Sequence, residues 1–179
     1  MKQALSILLV LAGLSTTAAA DQIRGGRCTL PALGMALGTI SALNATPSTI
    51  SFSATNPVGG AVSGSSAAAI NWNVVGGSHL LTWGISVHAT ATSFSGCPTI
   101  PVTAITASCA SATVGGGSGT GSCGGSFTLS TVATQLAGGL EGDGTQSYSV
   151  LVQYTLAESW RYVANPSCTL TLTYTVNAP

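Results

Sequence analysis

From residue 70 onward the chain repeatedly alternates large apolar with small or polar residues, and a period of two constrains its fold more than any other feature. Ile70, Trp72 and Val74 alternate with Asn71 and Asn73. After Gly76 and Gly77, Leu81, Trp83, Ile85 and Val87 alternate with Thr82, Gly84, Ser86 and His88. Successive side chains of a strand point to opposite faces, whereas a helix needs apolar residues three and four apart. These segments therefore read as half-buried strands, the first two joined by a tight glycine turn. Tyr148, Val150, Val152, Tyr154 and Leu156 repeat the pattern, as do Leu170, Leu172, Tyr174 and Val176 against threonines in Cys168 to Val176. Weaker strands are expected at Met35 to Leu43, Thr49 to Ala54, Ile100 to Ser108 and Ser126 to Val132.

No segment carries helical spacing with caps at both ends, so the expected class is all-β. Strands with one dry face must pack it against another sheet. The expectation is an antiparallel two-sheet β-sandwich of immunoglobulin-like architecture, about seven or eight strands, with a closed barrel as the alternative. Trp72, Trp83, Phe52 and the tyrosines belong between the sheets. The Cys, Trp, Cys spacing of antibody domains is absent, so the likeness is architectural only.

The start of the chain follows a different pattern. Lys2 precedes an apolar run from Leu5 to Leu14, broken only by Ser6, Ala12 and Gly13, and Thr16 to Ala20 ends in small residues. This reads as a signal peptide over 1–20 cleaved after Ala20, leaving one domain over 21–179. The run is too short to cross a bilayer, which takes about 20 residues, and no later stretch is continuously apolar for that length. Cys28 follows Arg27 and lies beyond the cut, so a lipid anchor is not expected.

Export makes disulfides the natural fate of the 5 cysteines. Cys109 and Cys123 flank the glycine-rich run Gly115 to Gly121, where a hairpin would set them opposite each other. Cys97 is assigned to Cys168 in preference to Cys28, which is left unpaired. No pair has the spacing of zinc ligands, so no metal is assigned on cysteine.

Only 4 Lys and Arg and 4 Asp and Glu occur in 179 residues. Serine, threonine, asparagine, glutamine and glycine must cover the surface. Without a basic patch there is nothing to neutralise a phosphate backbone, so nucleic-acid binding is not expected. Weak self-repulsion favours association, which makes other copies or other cell-surface components the expected partners.

Most chemical motifs have a simpler explanation. Gly119 to Gly124 spells a dinucleotide fingerprint, but a strand follows it where a helix N-terminus is required. His79 and His88, treated as one strand, fall on opposite faces and cannot share a site. No nucleophile elbow surrounds any serine. Glu141 and Asp143, set among glycines in Gly139 to Gly144, form a weak calcium candidate. As a glycosidase pair they would need one carboxyl in an apolar pocket, of which the sequence gives no sign. Trp160, Arg161 and Tyr162 form the one candidate ligand-binding cluster, suited to stacking on a sugar or to capping the sandwich. Asn44-Ala-Thr46 has the glycosylation spelling, with Pro47 following. No catalytic residue and no cofactor is assigned. The expected function is that of a secreted, non-enzymatic structural or adhesive protein able to self-assemble. The alternatives are a small carbohydrate-binding module and, after it, a secreted hydrolase.

Overall fold

The computed structural model describes residues 5–10, 14–16, 39–54, 60–159, 162 and 168–177. Among these, every regular element is a strand except a 3-10 turn at Val102–Ala104. In chain order the strands are β1 (Leu5–Val10), β2 (Leu14–Thr16), β3 (Thr39–Thr46), β4 (Thr49–Ala54), β5 (Ala61–Ser63), β6 (Ala68–Gly77), β7 (Thr82–Ala89) and β8 (Ser93–Phe94). They continue as β9 (Cys97–Pro101), β10 (Ile105–Gly115), β11 (Ser122–Cys123), β12 (Phe127–Thr128), β13 (Thr134–Leu140), β14 (Gly144–Ala157) and β15 (Cys168–Asn177). Beyond residue 20, 8 of them run six residues or more.

The strands form a β-sandwich. One sheet has the order β11-β13-β7-β15-β1-β4, with β2 also on β15; the other has the order β12-β10-β14-β6-β3, with β5 on β14. Pairing is antiparallel except for β1 and β2, which run parallel to β15. The alternation in sequence becomes alternation in burial. Along β15 every second residue from Cys168 to Val176 is buried, and along β14 the same holds from Gln146 to Leu156. These inward rows meet in one core.

Where strands pair depends on more than alternation. β6 and β7 were expected to be neighbours across a glycine turn. They lie in different sheets: β6 pairs with β14 and β3, and β7 with β13 and β15. Residues 78–81 carry the chain from one sheet to the other. The stretch from Ile100 to Ser108 is divided by the 3-10 turn, and Ser126 to Val132 contracts to β12, after which Leu129 donates its N–H to the Ile105 carbonyl at 2.8 Å. Among the described residues the first strand after residue 20 begins at Thr39; Met35 to Gly38 lie outside the described residues.

Both assigned disulfides are present, Cys97–Cys168 with Cα atoms 5.3 Å apart and Cys109–Cys123 at 5.4 Å. The reason for the second differs from the hairpin expected. After β10 the chain crosses the sandwich, and β11 pairs with β13, so Cys109–Cys123 ties one sheet to the other. Cys28 lies outside the described residues. The sheets also meet through Tyr154 and Tyr174, whose hydroxyls hydrogen-bond to each other in the core. Burial holds both phenols protonated far above the usual tyrosine range.

Candidate functional site

Polar groups converge at one end of the sandwich, over an aromatic floor. Trp72 stacks on Tyr148 with ring centroids 5.2 Å apart, and Trp83 meets both edge-on at 5.4 and 5.5 Å. Each of two rings uses its polar atom to hold a loop. The Trp83 indole donates to the Thr120 carbonyl at 2.9 Å, and the Tyr148 hydroxyl accepts the Gly142 N–H at 3.2 Å. Glycine is required where these loops touch. A Cβ at Gly139 would lie 2.0 Å from the Thr120 carbonyl oxygen, and one at Gly119 would lie 2.8 Å from the Gly142 nitrogen.

Asp143 stands at the centre of the resulting cluster. It accepts the His79 backbone N–H at 2.9 Å, pairs with His79 Nδ1 at 2.8 Å and accepts the Ser118 hydroxyl at 3.2 Å. These donors, the His79 backbone N–H foremost, hold its carboxyl below the ordinary value of 3.8. Asp143 and His79 are both more than half exposed. Glu141 is different: it is fully buried, and its Oε2 accepts the Ser78 N–H at 3.3 Å while Oε1 has no hydrogen-bond partner. Burial raises its carboxyl above the ordinary 4.5, and the Ser78 N–H opposes that only in part.

The two acids thus occupy separate environments, one inside and one at the surface. Protein donors already satisfy Asp143, and among the described residues no group of three His, Cys, Asp or Glu side chains is placed to hold a metal. The calcium candidate Glu141 and Asp143 therefore consists of two differently engaged carboxyls. Glu141 is also buried, which its glycine-rich sequence had not suggested.

An Asp, a His and a Ser meet here without forming a nucleophilic triad. In a triad the imidazole stands between acid and hydroxyl, taking the hydroxyl proton. Here Ser118 donates to the acid itself, so the arrangement fastens loop 116–121 and turn 78–81 to Asp143. His79 lies in that turn ahead of β7, while His88 lies on β7 opposite Thr173, half-buried, with Nδ1 shielded and without a partner. Sequence gave no sign of the cluster because 64 residues separate His79 from Asp143 and 25 separate Ser118 from it.

Of the proposed stacking cluster, Trp160 and Arg161 lie outside the described residues. Tyr162 is half-buried and packs against the core, and the resulting desolvation raises its phenol above the ordinary value of 10.0. An open depression of about 400 Å³ beside Cys123, lined by Ser122, Gln135 and Gly138 among others, carries no charged side chain.

A second feature lies on the sheet itself. Residues read as the leader form β1 and β2, and both lie along one edge of β15. Ile7 and Leu9 register on Cys168 and Leu170, and Leu14 and Thr16 register on Tyr174 and Val176. On the other side, β1 registers antiparallel on β4, Ile7 with Phe52 and Leu9 with Ile50. Ile50, Phe52, Cys168, Leu170, Tyr174 and Val176 are all buried core residues. β1 thus lies in the sheet between two core strands, with β2 beside it on β15.

Comparison with known protein families and with curated proteins finds no match to the chain.

Proposed function

We propose that this chain is an exported, non-enzymatic structural or adhesive protein of the cell exterior, processed after Ala20. The observation that supports this reading best is the way the polar cluster is used. Asp143 spends its acceptor capacity on His79 and Ser118, fixing loops to one another instead of activating a hydroxyl. Two disulfides suit an oxidising compartment, where they form and persist. A neutral, hydroxyl-rich exterior over a cross-linked core suits a durable building block.

The reading is tested by expressing the full chain in an exporting host and examining the released product. Intact mass should correspond to cleavage after Ala20, and electron microscopy at high concentration should show ordered assemblies. Turnover on a broad hydrolase panel that disappears in both His79→Ala and Ser118→Ala would overturn it in favour of an enzyme.

A further inference from the structure

We infer that Asn44 is an acceptor for an N-linked oligosaccharide, attached during export and covering the sheet edge that the described residues leave open. The inference rests on the export reading above, because such transfer takes place along a secretory route.

Among the described residues, three of the four outer edges of the sandwich are engaged by the chain's own segments. Along β13, Thr120 donates its N–H to the Leu140 carbonyl at 3.0 Å, β11 pairs at Ala137 and Gly138, and the Gly124 N–H reaches the Leu136 carbonyl at 2.7 Å. On β4 the Ser51 carbonyl accepts the Ser65 N–H at 2.8 Å, and the Ser51 N–H donates to the Ser65 hydroxyl at 3.1 Å. On β10, β12 pairs at Thr106 and Ala107, and the Cys109–Cys123 bridge holds the crossing segment close. There a Cβ at Gly121 would lie 2.6 Å from the Ala112 carbonyl oxygen. β3 is the exception. It pairs with β6 alone, and β2 comes near it but pairs with β15. Its 8 residues include no charge and no proline, so apart from a bulge between Ser41 and Asn44 the edge lacks the devices that keep strands from pairing with strangers.

The glycosylation spelling stands on that same strand. Asn44 and Thr46 are exposed, while Ala45 between them is half-buried against the core. Strand alternation therefore sets the amide and the hydroxyl two residues on along one solvent face, and these are the two groups the transfer reads. Proline bars the reaction from the middle of the triplet; Pro47 follows it and leaves the spelling intact. In the transfer, Asn44 Nδ2 bonds to the anomeric carbon of an oligosaccharide carried on a lipid diphosphate. The bond from that carbon to the diphosphate breaks, its electron pair leaves with the diphosphate, and one amide proton passes to a base of the transferase. The product is a bulky, hydrated chain rooted beside the open edge, where it bars the approach of another strand.

The experiment expresses the full chain in a secreting host that carries the N-linked transferase and examines the released product by intact mass and peptide mapping, before and after treatment with a peptide N-glycosidase. An added sugar mass at Asn44 that the glycosidase removes is expected. Asn44→Gln and Thr46→Ala should each abolish that mass, and Thr46→Ser should keep it. Removing the sugar from the folded wild-type protein should raise self-association, with β3 amides gaining protection from hydrogen exchange in the associated form. A processed and released chain with Asn44 unmodified would overturn the inference and leave the export reading intact, as would sugar that persists in Thr46→Ala. Association and β3 exchange that are the same with and without the sugar would overturn its covering role. A chain that is retained with residues 1–20 still attached would instead overturn the export reading beneath it.

Discussion

The aromatic end of the sandwich and the β4–β15 slot are both places where the sheets need closing, and they are closed by opposite means. At the aromatic end the chain closes itself: Trp83 and Tyr148 hold loops, Asp143 fastens two more segments, and Cys109–Cys123 ties sheet to sheet. At the slot, closure comes from residues 5–16, the part of the sequence with the character of a removable leader. The first region is held by side chains and a disulfide, the second by main-chain strand pairing with residues 5–16. The dense polar cluster joins loops by side-chain hydrogen bonds, whereas the slot is closed by strand pairing.

The largest test of this contrast concerns the disulfides. Cys97–Cys168 closes a separation of 71 residues and anchors the β15 wall of the slot at its first residue; Cys109–Cys123 closes 14. By loop entropy, replacing the first pair with serine should cost about 4 kcal/mol and the second about 3 kcal/mol. Denaturant unfolding of the two double variants measures both. If the Cys97–Cys168 variant were the more stable of the two, the picture of a slot with one covalently fixed wall would fail.

A smaller effect is expected at the aromatic floor. Tyr148→Phe keeps the stack on Trp72 and removes the acceptor of the buried Gly142 N–H. Leaving that donor unsatisfied should cost about 1–2 kcal/mol, measured by unfolding, with greater exchange at residues 141–144. No change in the exchange of that loop would show that the hydroxyl does not hold it.

The strands of this fold were legible in sequence to a degree that their partners were not. Alternation reports which face of a strand is dry, and at Tyr148 to Leu156 and Cys168 to Val176 the burial follows it residue by residue. It does not report the sheet a strand joins, so Gly76 and Gly77 suggested a hairpin where the chain in fact changes sheets. The cysteine pairs could be assigned by position, yet Cys109–Cys123 spans two sheets and not one hairpin. The cluster at Asp143 was hidden for a related reason. Its members come from three connections brought together only by sheet packing, and Gly139 and Glu141 look like a solvated turn until Thr120 and Ser78 are laid against them.

The smallest expected effect has the opposite sign and depends on pH. Glu141 is buried with one oxygen unpartnered, and burial raises its carboxyl above 4.5. Between that ordinary value and the raised folded value, the native state holds a proton that the unfolded chain has released. Stability therefore falls as pH rises through this window, and above it the loss is complete. Asp143 acts in a separate window and in the other direction: its carboxyl is held below 3.8, so the stability it contributes is lost as pH falls through that lower folded value. Glu141→Gln keeps a side-chain oxygen near the Ser78 N–H and removes the charge. It should leave stability unchanged at acidic pH, raise it at neutral pH and flatten the profile above 4.5, while the Asp143 limb below 3.8 remains. Chemical unfolding from pH 3 to 8 separates the limbs. If Glu141→Gln instead lowered stability at neutral pH, the buried carboxylate would be a required anchor of the aromatic end, and that end would depend on charge where its geometry shows packing and hydrogen bonds.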